Sequence, residues 1–106
     1  MFFAVFAVDK PGLIETRMQN RPAHRAYGDR YDLPARKIIG VPLTEDDGQT
    51  MNGTLLILEA SDRAAVEAYL AGDPYVKAGL FERTSIVAVH ESFSMIRDLL
   101  LDDDEE

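Results

Sequence analysis

The first predicted strand of this chain is apolar on both of its faces. Residues 2–8 read Phe-Phe-Ala-Val-Phe-Ala-Val and are followed by a turn sequence, Asp-Lys-Pro-Gly. Side chains of a strand alternate between the two faces of its sheet, so a strand with one face in water alternates apolar and polar residues. This strand does not alternate, and we expect both of its faces to be covered.

Three further segments are predicted to be strands. They are rich in Ile, Val, Leu and Thr and are bounded by turn residues. They span residues 36–43, 53–59 and 80–91. Because proline has no backbone N–H to give to a neighbouring strand, we expect Pro42 to stop the second strand.

Helices are predicted between the strands from capping residues and apolar stripes. After the first strand we expect two short helices, over residues 13–18 and 20–27, with Asn20 as the N-cap of the second. Ser61 is the predicted N-cap of the next helix. Asp73 is the predicted N-cap of a short helix that begins with a proline.

The resulting order of elements, βα–ββ–αβ, is that of the ferredoxin-like fold of the α+β class. In this fold an antiparallel sheet carries its helices on one face. The first and third strands are apolar on the other face as well, and a second copy packed sheet to sheet would cover them. The sequence therefore predicts a homodimer or a higher homo-oligomer.

The length of 106 residues allows one small domain. We predict that residues 1–93 form it and that residues 94–106 are an extension with a helix over 94–101 and an acidic tail. There is no cysteine, no apolar run near the ~18 residues of a membrane span and no signal-peptide pattern. We expect a soluble, cytoplasmic protein without a membrane partner.

The positive charge of the chain is concentrated in one region. The net charge is −8, and the last five residues are all acidic. Nucleic-acid binding needs clustered Lys and Arg on a basic surface, so we expect no nucleic-acid partner. A local basic cluster on an acidic chain instead suits a small anion. This cluster comprises Arg17, Arg21, Arg25, Arg30, Arg36 and Lys37.

His24 is the first candidate for chemistry, within the segment Arg-Pro-Ala-His-Arg that starts at Arg21. Imidazole is the side chain whose ordinary pKa lies nearest neutral pH, so His24 is a candidate general acid or base. The other interpretation is a surface histidine on a basic helix face. The spacing by itself leaves both open.

Three more side chains have alternative interpretations. Asp73 is either an ordinary N-cap or a carboxylate that orients an imidazole. Tyr75 either donates a hydrogen bond into a cleft or simply packs. His90 is interpreted as structural or exposed.

No spacing typical of a metal site or a phosphate loop occurs, so we expect neither a metal nor a cofactor.

Several short segments together resemble the YciI-like family, in the same order over about residues 1–91. They are Arg21-Pro22-x-His24, Pro42-Leu43, a strand begun by Gly53, Ser61-x-x-x-Ala65, and Asp73-Pro74-Tyr75-Val76-x-Ala78-Gly79-Leu80. The resemblance implies a ferredoxin-like dimeric α/β barrel with a cleft that contains a His and an Asp. Val41 stands where the family usually has glycine, and the chain after Phe93 extends beyond the family's usual end.

The resemblance implies a small-molecule enzyme that uses His24 and Asp73 as a catalytic pair. We expect acid–base chemistry of the isomerase, lyase or dehalogenase type on a small anionic molecule such as a lactone or a carboxylate. Arg21 and Arg25 are the expected partners of the substrate carboxylate, and Tyr75 is a further substrate-binding residue. The alternative is a non-catalytic ligand-binding or assembly module with the same dimeric fold.

Overall fold

The computed structural model describes residues 1–101, and the predicted acidic tail at 102–106 lies outside the described residues. The strands are β1 (Phe2–Asp9), β2 (Arg36–Thr44), β3 (Met51–Glu59) and β4 (Phe81–Val89). The helices are α1 (Ile14–Gly28), α2 (Arg63–Gly72), α3 (Pro74–Lys77) and α4 (Phe93–Leu101).

The four strands form one antiparallel sheet in the order β2-β3-β1-β4. β1 is a central strand, paired on one side with β3 and on the other with β4. This topology confirms the ferredoxin-like α+β fold predicted from the order of elements.

One face of the sheet forms the hydrophobic core together with α1 and α2. Alternate side chains of β1 and β3 point to this face, and they pack against the apolar stripe of α2. The principal members of this cluster are Phe3, Val5, Leu56, Leu58, Val66 and Tyr69. The core thus fixes the helices over one face of the sheet.

The opposite face of the sheet, which we call the open face, is covered within residues 1–101 only at one end, by α4. There the ring of Phe93 meets the ring of Phe2 edge-on at 5.1 Å, and Arg97 forms an ion pair with Glu59 at 2.9 Å. Further along β1, Phe6 is 44% exposed. The expectation that both faces of β1 are covered therefore holds within one chain only near Phe2.

α1 is one continuous helix, so the prediction of two short helices is wrong. Pro22 lies inside it, and its missing N–H removes the hydrogen bond to the carbonyl of Met18. Met18, whose carbonyl loses that bond, is 47% exposed. Buried Arg17 and Tyr27 hold the helix on either side of the proline, and packing therefore overrides the local preference.

The side chain of Asn20 accordingly does not cap a new helix. Its amide nitrogen donates to the carbonyl of Thr16, four residues back in the same helix, at 2.8 Å. A polar side chain that bonds to the preceding turn is a common arrangement inside a helix. Asn20 is a residue type typical of an N-cap, but the helix continues through this position because of its packing, so no cap is formed here.

Two other predicted boundaries are displaced. β2 continues through Pro42 to Thr44 because β2 is at the edge of the sheet, where proline is tolerated. The N-cap of α2 is Asp62 rather than Ser61, since the Asp62 carboxylate accepts a hydrogen bond from the backbone N–H of Ala65 at 2.9 Å. Neither change alters the topology.

Within residues 1–101, no helix has the length and apolar character that a membrane crossing requires. The cytoplasmic location stays a prediction, and so does the domain boundary after residue 93. α4 begins at that point and rests on β1 and β3 through its first and fifth residues.

Candidate active site

A cleft of about 210 Å³ opens between α1, α3 and the β2 side of the sheet. Four residues of α1 contribute to it at positions i, i+4, i+7 and i+8, a spacing that places them on one helix face. The lining comprises Arg17, Arg21, His24, Arg25, Lys37, Gly40, Val41, Pro42, Thr54 and Tyr75. The structure thus brings the predicted site residues Arg21, His24, Arg25 and Tyr75 to one place.

His24 and Asp73 are in hydrogen-bond contact. Nδ1 of His24 lies 2.8 Å from Oδ1 and 3.1 Å from Oδ2 of Asp73. A carboxylate only accepts, so Nδ1 carries the hydrogen and Nε2 of the neutral ring is left with its lone pair. Nε2 makes no hydrogen bond to any of residues 1–101 and lies on the side of the ring away from Asp73.

The carboxylate of Asp73 contacts both the start of α3 and the ring of His24. Its Oδ1 accepts a hydrogen bond from the backbone N–H of Tyr75 at 2.9 Å and so caps α3. The side chain is 1% exposed, and its carboxylate faces the imidazole of His24. The cap holds the carboxylate rigidly, which is what an orienting partner of a histidine requires.

The contact between the two residues depends on how α1 packs against α2. The hydroxyl of Tyr27, near the end of α1, donates to the carbonyl of Tyr69 in α2 at 2.7 Å. The backbone N–H of Asp73 donates to the carbonyl of Leu70 at 3.0 Å. His24 lies one turn before Tyr27. These two bonds therefore fix its position relative to Asp73, the residue that follows α2.

Tyr75 forms part of the wall beside the imidazole. Its ring stacks on that of His24 with centroids 4.0 Å apart and planes 16° apart. Burial raises the pKa of the Tyr75 phenol, against the opposing effect of the Arg17 and Arg21 charges. The phenol therefore stays protonated near neutral pH. Its own hydrogen has no acceptor among residues 1–101, and Tyr75 lines the cleft although the residue is only 1% exposed.

Arg17 was predicted only as a member of the basic cluster, without a role of its own in the site. It is 1% exposed, and its Nε and Nη2 donate to both oxygens of Asp9 at 2.7 and 3.0 Å. Nη2 also donates to Oγ1 of Thr54 at 2.7 Å, and Nη1 donates weakly to the hydroxyl of Tyr75 at 3.4 Å. On one continuous helix, a spacing of seven residues places Arg17 on the same face as His24. A prediction of one helix would therefore have placed Arg17 in the site.

The cleft has a positive surface. Arg17 is neutralised by Asp9, whereas Arg21 and Arg25 have no carboxylate within 4.0 Å among residues 1–101. A concave site lined by unpaired cations attracts small anions. The substrate-binding roles of Arg21, Arg25 and Tyr75 stay predictions.

His90 lies outside the cleft. It is exposed, and its Nδ1 accepts a hydrogen bond from the backbone N–H of Ser92 at 3.0 Å. In the part of the chain that the structure describes, no group of three or more His, Asp and Glu side chains is arranged to hold a metal ion.

A family match accounts for most of the chain. The family model of the YCII-related domain matches residues 1–90. The chain belongs to the YciI-like family. Protein YciI of Escherichia coli is 31% identical over 91 residues, which are 81% of this chain and 93% of the relative. An uncharacterised protein of Haemophilus influenzae is 27% identical over 86 residues, 76% of this chain and 88% of that protein. The family match ends at residue 90, before α4.

Solved structures support the same fold. The 5-chloro-2-hydroxyhydroquinone dehydrochlorinase of Burkholderia phenoliruptrix, solved with 2,5-dihydroxybenzoquinone, is 32% identical to this YciI-like chain. The likeness covers 85% of this chain and 94% of that enzyme, with a TM-score of 0.72. A second similar structure, described as an antibiotic biosynthesis monooxygenase of a Bacteroides species, is 14% identical with a TM-score of 0.54, and it bears on the fold alone.

Proposed function

We propose that this YciI-like protein is a small-molecule enzyme in which His24 and Asp73 carry out acid–base chemistry. The observation that carries the proposal is the 2.8 Å contact between Nδ1 of His24 and Oδ1 of Asp73, at the wall of a positively charged cleft. An imidazole held by a buried carboxylate, with its second nitrogen unoccupied, is the arrangement that proton transfer uses.

In this proposal Nε2 of His24 takes a proton from a carbon or oxygen of the substrate. The imidazolium that forms is stabilised by the Asp73 carboxylate, which accepts from Nδ1 throughout. In an isomerisation the proton returns to another atom of the substrate. In a dehydrohalogenation the electron pair of the broken C–H bond forms a double bond, and the halide leaves with the electrons of its own bond.

The remaining side chains of the cleft would position the substrate. Arg21 and Arg25 would bind an anionic group, because a guanidinium matches the planar shape of a carboxylate. The hydroxyl of Tyr75 would donate a hydrogen bond to a substrate oxygen as negative charge develops there. The dehydrochlorinase activity of the structural relative favours a small, oxygenated substrate.

We further propose that the chain forms a homodimer through the open face of its sheet. The register places Phe6 beside Leu55 of β3, and Leu55 beside Val41 of β2, so that these three side chains form one row across the open face. A second copy would remove this apolar surface from water. The burial of each large side chain would stabilise the dimer by roughly 1.5–3 kcal/mol.

The enzymatic proposal is tested by turnover of two kinds of compound. Chloride release from 5-chloro-2-hydroxyhydroquinone and isomerisation of a small carboxylated lactone are measured with the wild type and with His24→Gln. Loss of the general acid–base group should lower turnover by about 10²–10⁴-fold. The free energy of unfolding should fall by no more than about 1–3 kcal/mol.

His90→Gln is the matched control, because His90 is exposed and remote from the cleft. It should leave turnover and stability unchanged. Equal turnover by His24→Gln and wild type would contradict the proposed role of His24. Ligand binding at the cleft without turnover of either compound would instead support the binding-module alternative.

A further inference from the structure

Thr54 is a buried polar residue of the cleft that the proposed chemistry does not use. It lies on β3 and is 3% exposed. Its Oγ1 accepts a hydrogen bond from Nη2 of Arg17 at 2.7 Å. A guanidinium can only donate, so the hydrogen of the Thr54 hydroxyl needs a different partner, and none of residues 1–101 accepts it. Because buried donors are normally bonded, a partner from outside these residues is indicated.

The hydroxyl of Tyr75 is held in the same way. It accepts a long hydrogen bond from Nη1 of Arg17 at 3.4 Å, and the same guanidinium lies 4.7 Å from the centre of the Tyr75 ring. One buried guanidinium thus donates to both oxygens, which directs both hydroxyl hydrogens away from it. Thr54 and Tyr75 both line the cleft. We call their two hydroxyl groups the hydroxyl pair.

The hydroxyl pair lies at the closed end of the cleft, where no free charge is present. The residues that α1 contributes become more exposed along the helix, from buried Arg17 through half-buried Arg21 to exposed Arg25. Both carboxylate oxygens of Asp9 accept from Arg17 and balance its charge. The closed end therefore offers hydroxyl donors, whereas the open end offers two arginines that pair with no carboxylate of residues 1–101.

These two ends suit two different groups of one molecule. A carboxylate fits the arginines, because a guanidinium matches both its charge and its planar shape. At the closed end the same carboxylate would lose its hydration without gaining an opposite charge. A carbonyl oxygen has two lone pairs, no hydrogen and no full charge. It can accept from both members of the hydroxyl pair, so a ketone is the group that fits there.

The side chain of Tyr75 connects the hydroxyl pair with His24. Asp73 accepts from the backbone N–H of Tyr75 and from Nδ1 of His24. The phenol oxygen lies at the far end of the tyrosine side chain from that N–H, and Nε2 lies across the imidazole from Nδ1. The two rings stack with centroids 4.0 Å apart. A ketone oxygen bound to the hydroxyl pair is therefore within the length of one small molecule of Nε2.

We propose that Thr54 is a substrate-binding residue and that the substrate is a small carboxylic acid that also carries a ketone, whose oxygen binds to the hydroxyl pair. This inference rests on the proposed function, because His24 is the group that moves the proton. Nε2 takes a proton from the carbon next to the ketone. The electron pair of that C–H bond forms a carbon–carbon double bond, and the π electrons of the carbonyl move to its oxygen. The hydroxyl pair stabilises this enolate oxygen until a carbon atom takes the proton back.

The test compares three probes with the same five-carbon chain. Pentanoate carries only the carboxylate, whereas 2-oxopentanoate and 4-oxopentanoate carry a ketone at two distances from it. Their dissociation constants are measured by NMR titration of the His24 ring signals, at a pH where all carboxyls are ionised. We expect at least one oxo acid to bind about tenfold tighter than pentanoate, the effect of one or two hydrogen bonds to an uncharged oxygen.

Thr54→Val is the informative variant, since valine keeps the branched shape and lacks the hydroxyl. It should reduce the preference for the oxo acid to less than about threefold while pentanoate binds as before. Thr54→Ser keeps the hydroxyl and should retain the preference. Thr84→Val is the matched control, because Thr84 pairs with Ala7 on the side opposite to Thr54 and is exposed outside the cleft. It should bind all three probes like the wild type.

The proton transfer is measured as deuterium uptake next to the ketone of the preferred oxo acid in heavy water. The wild type should accelerate this exchange, and Thr54→Val at saturating oxo acid should slow it by about 10²-fold, the effect of removing one donor to an enolate oxygen. Thr84→Val should exchange at the wild-type rate. An oxo-acid preference without accelerated exchange in the wild type would contradict the proposed proton transfer.

Two further results would overturn the inference and leave the anion-binding cleft in place. One is equal binding of pentanoate and both oxo acids to the wild type, with shifts of the His24 signals. The other is an oxo-acid preference that survives in Thr54→Val, even if that variant unfolds at a lower temperature, because Thr54 then only supports Arg17. If none of the probes shifts the His24 signals, the proposed anionic substrate is contradicted, and this inference with it.

Discussion

Asp73 combines two functions in one carboxylate. Its Oδ1 accepts from the backbone N–H of Tyr75 at 2.9 Å and from Nδ1 of His24 at 2.8 Å. The first bond is local and could be predicted from Asp-Pro at a helix start. The second joins residues 49 positions apart, and no local pattern reports it. A capping residue that is almost fully buried, as Asp73 is, has a partner beyond its own helix.

The orienting role of Asp73 leads to a prediction about the tautomer of His24. In Asp73→Asn the side-chain oxygen can still cap α3, because Asn is as good an N-cap as Asp. The amide nitrogen, however, would donate to Nδ1 of His24 and so shift the ring hydrogen to Nε2. We expect nitrogen-15 NMR of the neutral ring to show the Nδ1–H form in the wild type and the Nε2–H form in the variant.

Asp62→Asn is the control for this experiment, because Asp62 caps α2 and does not contact His24. It should leave the ring of His24 in the wild-type tautomer. A ring that keeps its hydrogen on Nδ1 in Asp73→Asn would mean that the carboxylate does not set the tautomer. Any turnover found for the wild type should fall in Asp73→Asn, since Nε2 then has no lone pair to accept a proton.

At the scale of elements, α1 is decisive for the site. Only a continuous helix places Arg17, Arg21 and His24 in one stripe, and the helix is continuous because buried side chains on both sides of Pro22 hold it. Local rules favour a break at Asn20 or Pro22. The burial of Arg17 with Asp9 stabilises the continuous helix by more than the local preference for a break destabilises it.

The terminal helix α4 follows the residues that the family model matches, and we predict that its removal is tolerated. A chain that ends at Ser92 loses the cover that Phe93 provides for Phe2. We expect the free energy of unfolding to fall by roughly 1.5–3 kcal/mol, the contribution of one buried aromatic side chain. Unfolding in urea should stay cooperative, because the core cluster contains no residue of α4.

The full-length variant Phe93→Ala should reproduce most of this loss, since it removes the same ring contact and keeps the rest of the helix. Broad, non-cooperative unfolding of the shortened chain would show instead that α4 belongs to the domain itself. That outcome would refute the predicted division of the chain after residue 93.

At the scale of the whole molecule, the open face of the sheet leads to a prediction about assembly. We expect the wild type to sediment as a dimer at micromolar concentration. Phe6→Glu places a charge in the proposed interface and should weaken the dimer by about 100-fold or more, because burying an unpaired charge is strongly unfavourable. Phe6 points away from the core, so the fold should persist.

Met18→Glu is the matched control, since Met18 is exposed to a similar degree but lies on α1, away from the open face. It should remain dimeric. Leu56→Glu, by contrast, should unfold the protein, because Leu56 is part of the core. A wild type that sediments as a monomer at micromolar concentration would refute the dimer.

The sequence alone determined the order of elements, the apolar character of both faces of β1 and the cap at Asp73. Each of these depends on the periodicity or chemistry of neighbouring residues, and such signals survive without the rest of the fold. The YciI-like motifs added the expectation that His24 and Asp73 share a cleft.

Tertiary structure alone decided how the site is built. Nδ1 of His24 reaches the carboxylate of Asp73 because α1 packs against α2 and α3, with Tyr27 bonded to the carbonyl of Tyr69. The side chain of Lys37 passes between the end of α1 and β2 because Gly28 and Gly40, twelve positions apart, leave room for it. These contacts join segments that are distant in sequence. Their geometry is set by how helices pack on the sheet, and no local sequence pattern encodes it.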